Sequence, residues 1–208
     1  METIIKKVNV YDFSELTQST KDKARENYNY NNDTSYLLSD DLECNLEYLG
    51  FEFKDLEFSL GHCQGDGVCF KPVDLNINTL KESNFFKVNE YSKEHIKTVI
   101  LDLKYVQKYF CYVDIDRVNW HYSHSNTYSF SINEYNLGLD FNNRYYDTLL
   151  ARLQSALYTY VDFYKDVCGH LKNSGYENIE YYESEENFLE TCECNKFKFL
   201  ESGVLYND

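Results

Sequence analysis

Hydrophobic residues recur along this chain with two different periods, and the change between them separates helical segments from extended ones. Leucines three and four residues apart predict a helix over Ser35–Leu49, which Gly50 would end. A similar apolar stripe predicts a helix over Ser92–Lys108. Thr17 offers an N-cap for a more polar helix that continues to about Tyr28.

Two other segments alternate apolar and polar residues, and each predicts a β-hairpin. The first hairpin has strands over Phe51–Leu60 and Val68–Pro72. Its alternation slips by one residue near Asp55. A slip of one residue would turn every later side chain to the opposite face of the sheet, so it predicts a β-bulge.

The second hairpin has predicted strands over Cys111–Tyr122 and Tyr128–Ile132. Its alternation slips at Asp116-Arg117, which predicts another bulge. Shorter extended segments are predicted near both ends of the chain. They contain Ile4, Val8 and Val10 at the beginning and Lys196–Leu200 at the end.

The longest helix is predicted from about Arg144 to Leu171, and at 1.5 Å per residue it would extend roughly 40 Å. Lys172–Gly175 is typical of a helix end, and a short acidic helix is predicted near Glu183–Cys194. Antiparallel hairpins separated by helices indicate the α+β class. We expect an antiparallel sheet of hairpins, with the long C-terminal helix and further helices packed on one face.

The composition supports a packed core and a single α+β domain over residues 1–208. Of the 208 residues, 43% are hydrophobic and 17% are aromatic, which excludes a disordered chain. One proline and eight glycines leave no segment that would form a flexible linker. Tyrosine dominates the aromatic residues, with 21 copies, and its polar tip favours the margin of a core or an interface.

The chain is strongly acidic, with 35 Asp and Glu residues against 20 Lys and Arg residues and a formal net charge of −15. Such a charge repels phosphate backbones, so direct binding of nucleic acid is not expected. The charge has two interpretations. It would keep a cytosolic protein apart from its neighbours, or it would attract a partner with a basic surface.

Seven cysteines and the absence of any long apolar run indicate reduced thiols in a cytoplasm, without a membrane partner. No segment approaches the roughly 18 apolar residues of a membrane span, and the first ten residues do not resemble a signal peptide. Cys192 and Cys194 are closer together than the cysteine pairs of zinc sites, and no second pair has a matching spacing, although Cys63, Cys69 and His62 could be recruited in space. Ordinary reduced cysteines near a helix end are the simpler interpretation. No metal and no cofactor is therefore expected.

The segment from His62 to Gly67 is the first candidate site. Asp66-Gly67 between alternating strands predicts a tight hairpin turn, because both residues tolerate positive φ. Gln64 and Gly65 make the segment richer than such a turn requires. A carboxylate between glycines can approach a ligand closely. The segment is thus either a turn alone or a ligand or partner contact.

The second candidate is the segment Trp120–Thr127, which contains His121 and His124. On a strand these two histidines would point to opposite faces, so a structural role for each is the simplest interpretation. A bent turn could instead bring them to Asp66 and form a metal or phosphoester site. The ligand-binding candidates at the two turns are Gln64, Gly65, Asp66, Gly67, His121, Tyr122 and His124.

The third candidate is acidic and tyrosine-rich. Carboxylates interleaved with tyrosines can imitate the charge and the flat faces of a nucleic acid, although the first turn of a solvated helix has the same composition. The partner-binding candidates are Asp40, Asp41, Glu43, Glu47, Tyr181, Tyr182, Glu183, Glu185 and Glu186. Nucleotide-binding, hydrolase and metalloprotease motifs are absent from the sequence, so an enzyme is the less favoured class.

Four segments follow one another along the chain: Tyr11-Asp12-Phe13 with Leu16 and the following helix, Gln64-Gly65-Asp66-Gly67 with Phe70, His121-Tyr122-Ser123-His124-Ser125, and the ending from Phe197 to Gly203. In this order they resemble a family of small phage-encoded proteins that are loosely labelled antitoxin-like. The resemblance covers most of the chain. It implies a phage or prophage product that acts in the cytoplasm of a bacterial host.

These features lead to two functional hypotheses. The first is a phage accessory protein that binds and inhibits a bacterial defence system, as an anti-CRISPR or antitoxin-like inhibitor whose acidic surface blocks the basic nucleic-acid cleft of a host defence protein. The alternative is a metal- or nucleotide-dependent enzyme or ligand-binding module at the two turns. In that case Asp66 would serve as metal ligand or base, and His121 and His124 would coordinate the metal or transfer protons.

Overall fold

The computed structural model describes residues 7–31, 34–133 and 145–206. The helices are α1 (Gln18–Asn31), α2 (Ser35–Tyr48), α3 (Ile77–Glu82), α4 (Phe85–Val88), α5 (Lys93–Lys108), α6 (Tyr146–Tyr182) and α7 (Glu185–Asn195). The strands are β1 (Phe51–Ser59), β2 (Gly67–Leu75), β3 (Val113–Arg117) and β4 (Tyr128–Ile132). The α+β class is confirmed. The two hairpins form separate two-stranded antiparallel sheets, β1–β2 and β3–β4.

Within these described ranges, none of the helices combines the length and the apolar character that a membrane span requires. The contacts between residues divide the chain into two compact units. The terminal unit combines the residues up to Ser39 with those from Glu177 onward, and the central unit is Asp40–Tyr176. That the whole chain forms one domain stays a prediction.

The core of the terminal unit is aromatic and draws on both ends of the chain. Phe13 lies 5.0 Å from Phe188 and 5.8 Å from Phe199, measured between ring centroids. All three rings are buried, together with Ala24 of α1 and Cys192 of α7. Edge-to-face contacts of this kind add to the free energy gained by burying the rings. This cluster therefore joins α1 and α7.

The core of the central unit is centred on α6. The rings of Phe70 on β2 and Phe130 on β4 each lie 5.1 Å from the ring of Tyr164. The Tyr164 hydroxyl donates to the carbonyl oxygen of Phe70 at 2.9 Å and accepts from its N–H at 3.3 Å. One helix residue thus contacts both hairpins.

The bulge predicted near Asp55 is confirmed. The β1–β2 register shifts between Lys54 and Glu57, and Asp55 has φ 51°. Phe70 has no directly opposite residue in this register, because the shift falls between its neighbours Cys69 and Lys71.

The bulge predicted at Asp116-Arg117 does not lie there, because the β3–β4 register is continuous to Arg117, where β3 ends. The N–H groups of Val118 and Asn119 both donate to Thr127 O, so two residues oppose one immediately after the strand, which is the hydrogen-bond pattern of a bulge. The Asn119 side chain then satisfies the backbone N–H groups that follow it, which is the usual way an asparagine replaces strand pairing with a turn.

The predicted end of the longest helix is also wrong, because α6 continues through Gly175 to Tyr182. Gly175 is buried, and the neighbouring Ser174 hydroxyl accepts a hydrogen bond from Asn45 Nδ2 at 3.1 Å. Such tertiary contacts offset the roughly 1 kcal/mol that glycine costs inside a helix. The predicted start near Arg144 lies outside the described residues, as does Ile4.

Near the chain ends, regular strands are replaced by single bridges. Phe199 forms single β-bridges with Tyr11 and with Leu205. Val8 and Val10 are exposed, and neither forms a β-bridge with another described residue. The short helices α3 and α4 had no counterpart in the apolar pattern. Asn76 begins α3, because its side chain accepts from two backbone N–H groups of the first turn.

Candidate functional site

The first candidate segment forms a loop over residues 60–66, between β1 and β2. It is not a two-residue hairpin turn, because Gly67 already belongs to β2. The turn instead covers Cys63–Asp66, where the Asp66 N–H donates to Cys63 O at 3.2 Å and Gly65 has φ 103°. Gln64 is exposed at the tip of this turn. We call residues 60–66 the first loop.

The Asp66 side chain is buried and accepts four hydrogen bonds. Oδ2 accepts from the Tyr176 hydroxyl at 2.6 Å and from the Cys63 N–H at 3.0 Å. Oδ1 accepts from the Cys63 thiol at 3.1 Å and from the Ser59 hydroxyl at 3.3 Å. Asp66 therefore connects the first loop to β1 and to α6 of the same unit.

These hydrogen bonds decide the ionisation of the site. The Tyr176 hydroxyl, followed by the Cys63 and Ser59 donors, holds the pKa of Asp66 well below its ordinary value against the opposing effect of burial. A carboxylate with such a low pKa is a weak general base near neutral pH. The hydrogen bond to Asp66 raises the pKa of Cys63, so this thiol stays protonated and is a poor nucleophile.

The second candidate segment, residues 118–127, is a closed loop that we call the second loop. Asn119 Oδ1 accepts from the N–H groups of His121 at 2.9 Å and Tyr122 at 3.3 Å. The buried Thr127 hydroxyl donates to Tyr122 O at 2.8 Å and accepts from the His124 N–H at 3.1 Å. The loop's conformation is therefore fixed by its own side chains.

The two loops lie against each other. A Cβ atom placed on Gly65 would be 2.6 Å from the Tyr122 ring, and one placed on Gly67 would be 2.7 Å from His124 Cβ. Only glycine permits such close approach at these positions. The pairing of the two segments that the ligand-site hypothesis requires is thus present in the structure.

The groups that would perform chemistry do not converge in the same way. Within residues 7–31, 34–133 and 145–206, no three His, Cys, Asp or Glu side chains are placed to hold a metal ion. Nδ1 of His124 accepts from the Asn126 N–H at 3.1 Å, and the His121 side chain is exposed. Both oxygens of Asp66 are engaged by the protein, so a ligand at the loops would meet Gln64 and His121 rather than this carboxylate.

The acidic candidates fall in different units. Asp40, Asp41, Glu43 and Glu47 lie on the part of α2 that belongs to the central unit, and all but the half-buried Asp41 are exposed. Tyr181–Glu186 belongs to the terminal unit. There the Tyr181 hydroxyl donates to Glu190 at 3.3 Å, and Arg25 forms an ion pair of 3.7 Å with Glu185.

Two features of the loops were not found from the sequence. Tyr176 was placed beyond the predicted helix end, so its hydrogen bond to Asp66 could not be anticipated. Arg117 forms a bidentate ion pair with Glu57 and lies 4.5 Å from the Trp120 ring centroid. The predicted strand included Trp120 at an apolar position, which would place its side chain against the core. In the structure this residue is 73% exposed.

The chain matches no protein-family model, no curated protein and no solved structure. The resemblance to phage-encoded proteins stays a prediction.

The Asp66–Tyr176 hydrogen bond predicts a specific pH dependence of stability. The pKa of Asp66 is lower in the folded state than its ordinary unfolded value of about 3.9, so the stability it contributes is present above that value. The contribution is lost as the pH falls through the folded pKa. Tyr176→Phe removes the largest cause of this shift. We expect the variant to be less stable than the wild type at pH 7, with a difference that narrows below about pH 4.

Urea unfolding from pH 7 to pH 2.5 measures this difference. Tyr158→Phe is the matched control, because Tyr158 is an exposed tyrosine on the same helix. Its pH profile should follow that of the wild type. If the free energies of unfolding of Tyr176→Phe and the wild type differ by the same amount at every pH in this range, the Tyr176 hydroxyl does not stabilise the ionised form of Asp66.

Proposed function

We propose that this protein is a phage accessory protein that binds and inhibits a bacterial defence system, acting in the bacterial cytoplasm as an anti-CRISPR or antitoxin-like inhibitor. Its partner is a host protein whose basic cleft binds nucleic acid, and an acidic surface of this chain occupies that cleft. The observation that carries the proposal is the distribution of charge over residues 177–193, which we call the acidic segment.

The acidic segment contains seven glutamates and no Lys or Arg. They are Glu177, Glu180, Glu183, Glu185, Glu186, Glu190 and Glu193, and the side chain of each is exposed. All of them belong to the terminal unit. Among the described residues the segment has one ion pair, between Glu185 and Arg25. Its negative charge is therefore largely uncompensated and available to a basic partner.

Tyr181 gives the acidic segment an aromatic contact as well as charge. The ring is 46% exposed, and its hydroxyl is held by Glu190. The negative charge of Glu190 raises the pKa of Tyr181, so the hydroxyl keeps its proton. Exposed tyrosines are frequent anchors in protein interfaces, since they combine a flat apolar face with a hydrogen-bonding tip. This combination resembles the phosphates and bases that a nucleic-acid cleft accepts.

Reversing the charge of the acidic segment should weaken binding of the host partner. We expect the triple variant Glu183→Lys, Glu186→Lys and Glu190→Lys to bind at least about tenfold more weakly at low salt, because several charge pairs are lost together. Binding of the wild type should also weaken as salt rises, since exposed charges are screened. The measurement is capture of the partner from a bacterial lysate over a salt series, followed by titration with the purified partner.

The control carries the same change of net charge at exposed positions of the central unit, as Glu52→Lys, Glu82→Lys and Glu94→Lys. It should bind like the wild type. Single-stranded DNA should compete with the protein for the partner, because both would occupy the same cleft. Equal binding by the two triple variants, or a complex that DNA does not displace, would rule the proposal out.

A further inference from the structure

The outer edge of β4 presents backbone groups that no described residue satisfies. In the β3–β4 pair, Asn133 N–H donates to Tyr112 O at 2.7 Å and Val118 N–H donates to Thr127 O at 2.8 Å. Antiparallel strands alternate between residues that bond to the partner strand and residues that bond outward. The backbone N–H and C=O groups of Ser129 and Ser131 therefore point toward β3. Those of Tyr128, Phe130 and Ile132 point away from it.

A groove of about 590 Å³ lies along this edge, between β4 and α6 of the central unit. Leu157, Tyr158 and Val161 supply its wall on α6, and Val118 closes the end at the second loop. Tyr158 and Val118 are 70% and 60% exposed. The groove thus offers apolar side-chain contacts beside a row of alternating donors and acceptors.

An extended polypeptide matches that row, because its own N–H and C=O groups alternate at the same spacing. The two faces of the hairpin then determine which kinds of side chain suit alternate positions of the added strand. The ring of Phe130 packs on Tyr160 and Tyr164 of α6, and Tyr128 and Ile132 are on the same face of β4 because side chains alternate along a strand. Every second residue of the added strand would therefore pack on Leu157 and Val161. Those positions require apolar residues.

The opposite face of the hairpin is acidic. Asp114 pairs with Ser131 and Asp116 pairs with Ser129, and all four side chains are exposed. The residues directly opposite the solvent-facing positions of the added strand are Ser129 and Ser131, whose side chains are small. Long Lys or Arg side chains at those positions can reach across the serines toward the carboxylates of Asp114 and Asp116 on β3, which favours basic residues there.

We propose that the β4 edge binds an extended strand of a partner protein in which apolar and basic residues alternate. The strand adds to the β3–β4 sheet, fills the groove with its apolar residues and extends its basic side chains over Ser129 and Ser131 toward Asp114 and Asp116. This contact lies in the central unit and does not depend on the acidic segment. Its experiments involve no residue of 177–193, so each proposal can fail without the other.

The probe is a synthetic peptide of alternating lysine and valine, seven residues long, with blocked ends. Binding is followed by the fluorescence of Trp120, the single tryptophan, and by hydrogen exchange of the amides of Tyr128, Phe130 and Ile132. We expect saturable binding that protects these three amides. A peptide of the same composition with lysines and valines in separate blocks, and one of alternating glutamate and valine, should each bind at least about tenfold more weakly.

Two pairs of variants test the geometry. Ile132→Pro removes an outward N–H that Ile132→Ala keeps, and the loss of one hydrogen bond should weaken peptide binding about 3- to 10-fold relative to the alanine variant. Val161→Arg fills the groove without changing the sheet and should weaken binding at least about tenfold. Ser155→Arg adds the same charge at an exposed position of α6 outside the groove and should leave binding unchanged.

Three results would overturn the proposal. One is equal affinity of Ile132→Pro and Ile132→Ala together with full binding by Val161→Arg. Another is exchange protection of the three amides in the free monomer, which would mean that the chain already covers its own edge. The third is a dimer in sedimentation experiments that Val161→Arg dissociates, since a second copy would then be the occupant.

Discussion

Replacing Tyr164 with phenylalanine is expected to lower the free energy of unfolding by about 2–4 kcal/mol, although only a hydroxyl is removed. That hydroxyl is the partner of both the N–H and the C=O of Phe70, beside the bulge of β1 where the register leaves Phe70 without an opposite residue. Phe70 is fully buried, so the variant would leave two backbone groups unsatisfied in the core. Burial raises the pKa of Tyr164, which keeps the hydroxyl protonated and able to donate.

Tyr160→Phe is the matched control, one helical turn earlier on α6. Its ring is also buried, but the N–H and C=O of Phe70 bind the Tyr164 hydroxyl and not that of Tyr160. We expect a change below about 1 kcal/mol for this variant. Chemical unfolding with both variants checks the prediction. Equal losses would mean that the Tyr164 hydroxyl does not support β2.

Replacing Gly67 with alanine is the second large effect, an expected loss of about 1–3 kcal/mol through overpacking. The new Cβ would lie 2.8 Å from both His124 Cα and Ser123 O, which are backbone atoms that cannot turn aside. The second loop would have to move away from β2. Because its own hydrogen bonds fix its shape, we expect it to move as a whole, with shifted NMR signals from Tyr122 through Thr127.

Gly169→Ala provides a control of opposite sign. Gly169 is exposed within α6, and a Cβ placed there meets nothing within 4 Å. Alanine should therefore stabilise the helix by about 0.5–1 kcal/mol. In thermal unfolding, the midpoint should fall for Gly67→Ala and rise for Gly169→Ala. A Gly67→Ala protein as stable as the wild type would show that the start of β2 does not contact the second loop in solution.

The spacing of hydrophobic residues predicted most of the helices and strands, because each of these elements buries one face and so repeats its apolar residues at a fixed interval. The leucines of α2 and the slip near Asp55 were both assigned correctly for this reason. The period failed where side chains bind backbone groups. Asn119 ends a strand that the alternation would continue, and Asn76 begins a helix too short to display a period.

The site was only partly predictable. The composition of the first and second loops identified them as special, and the structure brings them together at Gly65 and Gly67. The partner of Asp66 could not be identified, because Tyr176 is 110 positions away in the sequence and on a helix predicted to end earlier. Long-range hydrogen bonds leave no periodic trace, so a candidate metal ligand and a structural carboxylate have the same local sequence.

The terminal unit has a consequence for biosynthesis. The side chain of Asn29 reaches the backbone of Glu183, 154 positions later, and Lys198 binds Asp12 across 186 positions. At elongation rates of about 5–20 residues per second, the nascent α1 waits roughly 8–30 s for its partners to leave the ribosome. Phe13, Leu16 and Ala24 are uncovered during that time, so the apolar surface of α1 and the segment before it stays exposed to solvent until α7 has been synthesised.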